Sequence, residues 1–237
     1  TAGNAEMGTY TVIYVYIAVL NIVFTYGVDT ANIRFSNKEG ISQRSLFQTA
    51  FTSHIISTIF FVFLISLFRV PIGDFIGVEG HYSYIVWCLS IIGFDTLCVI
   101  PLAKLRKEGR PKKYAFVNLA GIAVYVFLTI YFLAYLPDTA AKSTGWLHDW
   151  YGKQTKTGLL LKANLAQAMV TFILLFKEWG TLRFEFEKSL WRQLWRYSSP
   201  MIIGGLAGMV NEVIDRQMLE KLYSGTSEDA KIQVAIY

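Results

Sequence analysis

The chain has 237 residues, of which 54% are hydrophobic and only 16% charged, with a mean hydropathy of +0.39. That balance excludes an ordinary soluble domain, whose charged fraction runs near ~25%, and places the chain in a bilayer. The net charge of +5 therefore reads as membrane topology and contact with anionic lipid, and no nucleic-acid partner is expected.

Apolar runs long enough to cross a hydrocarbon core of about 30 Å, which takes roughly 20 residues, recur at 10–28, 46–68, 82–103, 114–136, 158–176 and 199–219. Six spans are predicted. Short loops rich in Lys and Arg stay in the cytoplasm, and the connections alternate. Segments 29–45, 104–113 and 177–196 hold fourteen basic residues, against six in the others. The first set is predicted to be cytoplasmic, so the first span runs inward. With no leading Met or cleavable signal, at least one helix is expected before Thr1 and several beyond Tyr237.

The first run ends in YGVDTANIRFSN, which carries Asp29, Asn32 and Arg34. If the helix continues to Phe35, these groups reach the cytoplasmic half of a central cavity, where an Arg fork suits phosphate. Alternatively Asp29 and Arg34 mark the headgroup boundary. In the second run, His54 is either a proton relay or a hydrogen-bonded structural histidine. The third run carries Asp95, about 12 Å inside the membrane by helical rise and flanked by Gly93, Thr96 and Pro101. Asp95 needs a partner: ion coupling and a structural hydrogen bond to a neighbouring helix are the two readings.

Cys88 and Cys98, ten residues apart on one predicted helix and so about 15 Å apart, cannot pair and read as packing residues. There is no CxxC or HExxH pattern and the three histidines are scattered, so neither a metal site nor a cofactor is expected.

After the fifth run, the sequence KEWGTLRFEFEKSLWRQLWR places Leu190, Trp191, Leu194 and Trp195 on one helical stripe edged by Lys188, Arg192 and Arg196. It reads as an interfacial amphipathic helix linking two lobes, or as the cytoplasmic end of the next span. The sixth helix is expected to start at Ser199 and Pro200, cap and first-turn residues respectively. Gly204 and Gly208 then form GxxxG, which favours close approach of another backbone. Beyond it Asn211, Glu212, Asp215 and Arg216 fall inside the span, the three charges on one face. Ionised groups there cost about 2.5–3.5 kcal/mol each at the bilayer centre, so they face protein or water. This marks a solute path; an interhelical salt bridge is the plainer reading.

The blocks YGVDTANIRFSNKEG, GFDTLCVIPLAKLRKEGRPKKYAFVNL and YSSPMIIGGLAGMVNEVIDR resemble the polysaccharide-unit flippases of the multidrug, oligosaccharidyl-lipid and polysaccharide exporter superfamily. The resemblance implies an all-α integral membrane protein, part of a two-lobed transporter of twelve or more helices truncated at both ends. Residues 1–180 would form most of the first lobe, 181–198 the amphipathic interlobe linker, and 199–237 the start of the second lobe. It further implies a flippase of the bacterial plasma (inner) membrane. The protein would carry an undecaprenyl-diphosphate-linked oligosaccharide across the membrane by alternating access, for lipopolysaccharide or other surface polysaccharide synthesis. The polysaccharide polymerase machinery would be a further partner.

On that reading Arg34, Arg216 and Asn211 would hold the substrate, and Asp29, Asp95, Glu212 and Asp215 would set cavity charge or couple an ion. A cation-coupled multidrug exporter of the same fold is the alternative. A membrane-embedded glycosyl or acyl transferase is disfavoured, because the loops are short and carry no DxD-like or paired-histidine motif.

Overall fold

Inside a bilayer every backbone N–H and C=O must be satisfied within the chain, which leaves helices as the solution for apolar segments of this kind. A computed structural model describes residues 2–76, 78, 80–142, 145–180 and 185–222; the side chains of 2–9, 12, 142, 146, 147 and 210–222 fall outside that description. Among the described residues there is no β-strand. The helices are α1 (Ala2–Thr25), α2 (Val28–Phe35), α3 (Gln43–Leu67), α4 (Arg69–Phe75), α5 (Ser83–Lys107), α6 (Pro111–Ile130), α7 (Leu136–Lys142), α8 (Trp146–Gly152), α9 (Lys156–Leu174), α10 (Phe176–Trp179) and α11 (Lys188–Leu222). A π-helical turn, Tyr131–Tyr135, joins α6 to α7.

Five stretches of the described residues are long and apolar enough to cross a membrane: Ile13–Phe35, Gln43–Leu67, Ser83–Lys107, Pro111–Ala141 and Lys156–Leu174. They correspond to the first five predicted spans. The sixth falls on α11, much of it where side chains are not described.

Local chemistry sets the helix starts. Ser42 caps α3, its Oγ accepting from the Ser45 N–H at 3.5 Å, and the Thr155 hydroxyl accepts from the Gly158 N–H at 3.0 Å at the start of α9. Pro111 begins α6, where its missing N–H loses nothing. Helix α5 is the hub, packed by α1, α2, α3, α6 and α9. On the other side of the bundle, a Cβ at Gly121 of α6 would sit 2.7 Å from Thr171 Oγ1, so only glycine lets α6 and α9 approach this closely.

Helix α11 departs from expectation in three ways. No helix starts at Ser199: α11 runs unbroken for 35 residues with Pro200 inside it. The missing proline N–H leaves one carbonyl without its donor, a defect helices tolerate when neighbours cover it. The stripe also does not simply lie on the interface. Leu190 and Leu194 are buried against Tyr26, Val28, Ala31, Phe47, Phe51 and Ile100. An i, i+4 apolar stripe fits lipid or protein equally well, and here the bundle supplies the partner. Finally, close approach falls on Gly205 rather than on Gly204 and Gly208. A Cβ at Gly205 would lie 2.8 Å from Ile22 of α1, whereas Gly204 and Gly208 have no described atom within 4 Å of that position.

Candidate functional site

The first span is broken. Helix α1 stops at Thr25 and α2 begins at Val28, with Tyr26 at φ 37° and Gly27 at φ 66° between them. A tyrosine in the left-handed region is strained, and such strain persists only where the surroundings hold it. Here they do. The Tyr26 hydroxyl and the Trp191 indole N–H both meet Ser53 Oγ, at 2.8 and 2.9 Å, and the Tyr26 ring lies 5.0 Å from His54 and 5.5 Å from Trp195. Helix α11 closes over the break, since a Cβ on Gly27 would meet Met201 Cβ at 2.9 Å. Broken membrane helices expose first-turn N–H and last-turn C=O groups, and for that reason often line ligand sites.

Polar side chains gather around this break without meeting each other. His54, at 1% exposure, has no partner for either ring nitrogen among the described residues, and Asn32, Thr58, Thr96 and Ser198 are buried with unpaired oxygens or nitrogens as well. A Cβ on Gly93 would touch Thr58 Cγ2 at 4.0 Å and Val62 at 3.7 Å. In this antiparallel pair, one turn toward the α5 C-terminus therefore sets Thr96 level with His54. Ser198 extends the Leu190 and Leu194 stripe by one more turn. Each buried unpaired group costs about 1–3 kcal/mol, so this polar layer is expensive for the fold. Of the two readings at position 54, the hydrogen-bonded structural histidine finds no hydrogen bond among the described residues.

The other predicted residues spread over different levels. Arg34 donates from Nη1 to the Tyr197 hydroxyl at 3.0 Å and stacks over that ring at 4.6 Å, so it bridges α2 to α11. Asp29 has Arg106 Nη2 at 4.0 Å rather than Arg34. Asp95 is half-buried and has no hydrogen-bond or ion partner among the described residues. It stands eleven residues, about 16 Å of helix rise, from the Arg106 that faces Asp29. Asp29 and Arg34 thus occupy the rim at the basic end of the bundle and Asp95 its middle. Asn211, Glu212, Asp215 and Arg216 lie on the α11 backbone, with side chains outside the described residues. No three His, Cys, Asp or Glu side chains gather for a metal among the described residues, and Cys88 and Cys98 are buried free thiols.

Three groups escaped the sequence reading. In the fifth span, Lys162 places its ammonium 4.9 Å from the Trp87 ring and 5.3 Å from Trp150, and donates to Gln154. Tyr10 and Tyr125 share a hydroxyl hydrogen bond of 3.0 Å, while Asn164 donates to Tyr14. Near the basic end, Glu178 is buried among Lys104, Arg110 and Lys113 at 3.7, 2.9 and 2.7 Å. Burial alone would raise the Glu178 carboxyl; the Lys113 hydrogen bond and the charges of Lys113, Arg110 and Lys104 instead hold it below the usual carboxylate range. The available signal was the lysine at 162 inside a span; Glu178, the first of three acids between the fifth and sixth predicted spans, carried none.

A multi-span helical bundle with a broken first helix, an interior polar layer and charge at one end is that of a multi-pass membrane protein. Comparison with known families agrees: residues 3–141, more than half of the chain, match the family described as polysaccharide biosynthesis protein. The chain belongs to this family, which is of the flippase type. No curated protein and no solved structure matches it.

Proposed function

We propose that the protein moves an undecaprenyl-diphosphate-linked oligosaccharide across the bacterial plasma membrane for lipopolysaccharide or another surface polysaccharide. Membership of the polysaccharide biosynthesis family carries this reading, and the broken first span supports it, with the buried His54 against Tyr26 lacking a partner for either ring nitrogen among the described residues. A diphosphate and a glycan face a prohibitive barrier in hydrocarbon, so a polar path must replace their water. On this proposal Arg34 at the rim and Arg216, nineteen residues or about 28 Å of helix rise along α11 from the Tyr197 that Arg34 contacts, hold the diphosphate at successive stages of its passage, with Asn211 near Arg216 on the same helix. Asp29, Asp95, Glu212 and Asp215 set the charge of the path. Residues 1–180 belong to one lobe and 199–237 begin the other, joined through 181–198, and rocking of the two lobes around the substrate site gives alternating access. The polysaccharide polymerase machinery receives the product.

The test is export of lipid-linked sugar units by the full-length protein in a strain lacking its own flippase. Arg34→Ala and Arg216→Ala are expected to insert normally and to lose export; normal export by both overturns the diphosphate assignment. The carboxylate of Asp95, without a partner among the described residues, favours a second reading, a cation-coupled drug exporter of the same fold. Extrusion of cationic dyes by the wild type, with the glycan left inside, would establish that one instead.

A further inference from the structure

The corner where α5 turns into α6 carries charge that its own fold does not balance. Lys104, Arg106, Lys107, Arg110, Lys112 and Lys113 fall within ten residues. Against these six cations the described residues set three carboxylates: Glu108 on Lys104 and Arg110, Glu178 on Lys104, Arg110 and Lys113, and Asp29 at 4.0 Å from Arg106. Among the described residues Lys107 reaches only the neutral Asn37, and Lys112 has no ion partner. The placement of the cations adds to the imbalance. A helix N-terminus carries about half a positive charge and favours acidic residues. Helix α6 has no acid in its first turn, no side-chain cap from Arg110, and two lysines beside Pro111. The positive end of the helix and three basic side chains coincide.

Glu178 enters this corner from α10 and is 5% exposed, while Arg110 and Lys113 remain 44% and 26% exposed. One carboxylate thus sits behind the cations, and their outer sides stay open. What those sides open onto is given by α6 itself. From Lys112 the same helical stripe continues through Phe116, Leu119, Ile122, Val126 and Ile130, which are 61%, 64%, 51%, 46% and 51% exposed. In a spanning helix that stripe faces acyl chains, so its basic end lies at headgroup level, one to two turns above the first exposed apolar rings.

We propose that Arg110, Lys112 and Lys113 at the N-terminus of α6 form a phosphate site for the headgroup of an anionic membrane lipid, with the lipid's chains along the Phe116 and Leu119 face and Glu178 as the internal anion that limits its affinity. The phosphate takes the outer sides of Arg110 and Lys113, whose inner sides Glu178 holds, and Lys112 closes the site from the bilayer. Glu178 is a positioning residue: it fixes the cations in place and competes for them. None of Arg110, Lys112, Lys113 and Glu178 is among the residues assigned above to the diphosphate or to the charge of the path.

The experiment uses the full-length protein in phosphatidylcholine nanodiscs doped with phosphatidylglycerol, with bound lipid counted by native mass spectrometry. Each basic residue near a membrane surface contributes about 1 kcal/mol, or roughly fivefold. Arg110→Gln and Lys113→Gln are each expected to weaken phosphatidylglycerol retention about fivefold, and Glu178→Gln to strengthen it by a similar factor. Glu178→Asp, which keeps the charge on a shorter arm, serves if the glutamine variant fails to fold and is expected to shift retention in the same direction by less. Unchanged retention in the basic variants, or a loss on removing Glu178 that is equal for phosphatidylcholine and phosphatidylglycerol, overturns the proposal by leaving a purely structural ion network. Soluble pyrophosphate is the second arm: if it displaces phosphatidylglycerol at equal phosphate concentration, the site recognises free phosphate and the lipid assignment falls.

Discussion

Replacing Gly27 by alanine perturbs the break in the first span in two separable ways. Gly27 stands at φ 66°, where a Cβ brings a conformational cost of about 1–2 kcal/mol. That Cβ would also lie 2.9 Å from Met201 Cβ and 3.2 Å from Met201 Sδ. The sulfur can swing away, but the Cβ is fixed to the α11 backbone, so α11 must move; overpacking of this kind costs about 1–3 kcal/mol. Gly27→Ala is therefore expected to lose about 2–5 kcal/mol of stability, measured by reversible unfolding of the full-length protein in mixed micelles. Met201→Gly removes the clash and leaves the dihedral unchanged. In a double-mutant cycle the pair should recover the steric part, a coupling of about 1–3 kcal/mol, and retain the rest. Gly27→Asn, which tolerates the left-handed region better, should lose less of the conformational part. A Gly27→Ala variant as stable as the wild type, or a cycle with no coupling, would refute the claim that α11 is seated on this break.

His54→Leu removes two ring nitrogens that have no partner among the described residues and is expected to be neutral or to stabilise by up to about 1–3 kcal/mol, because an apolar group of similar size leaves nothing unsatisfied; the same unfolding assay checks it, and a clear loss means the nitrogens are paired. Acid should loosen the basic end through Glu178. Its carboxyl lies below the ordinary value in the folded protein, so its contribution is full above the unfolded value of about 4.3 and is lost as pH falls through the lower folded value. The thermal midpoints of wild type and Glu178→Gln should thus converge as pH falls from roughly 5 to roughly 2, the range in which carboxylates titrate, and a constant gap would contradict this. Gly121→Ala drives a Cβ to 2.7 Å from Thr171 Oγ1 and is expected to cost about 1–3 kcal/mol; Thr171→Ala in the same chain should restore most of it, and failure of that rescue would place α6 and α9 farther apart than the structure does.

Asp29 and Arg34 show where reading along the chain stops. Their positions after an apolar run place both at one end of the bundle, as the structure does, yet five residues of helix cannot tell that Arg106 faces the first and Tyr197 the second. The stripe at Leu190 and Leu194 is similar: its period is plain, and its choice of protein over lipid is not. His54 and Glu178 go further still, since neither spacing nor residue type announces two unpaired nitrogens in one case or three cations in the other.

By itself the sequence determined the membrane class, the five spans found among the described residues and the end at which basic charge collects. Hydropathy and charge are properties of single residues summed along one segment, and they survive any packing. Only the tertiary structure decided which groups meet: the seating of α11 over Gly27, the polar layer around His54, and the cluster on Glu178. Each of these depends on the rotation and register of two or more helices. A turn of about 100° per residue is enough to exchange a buried partner for an exposed one.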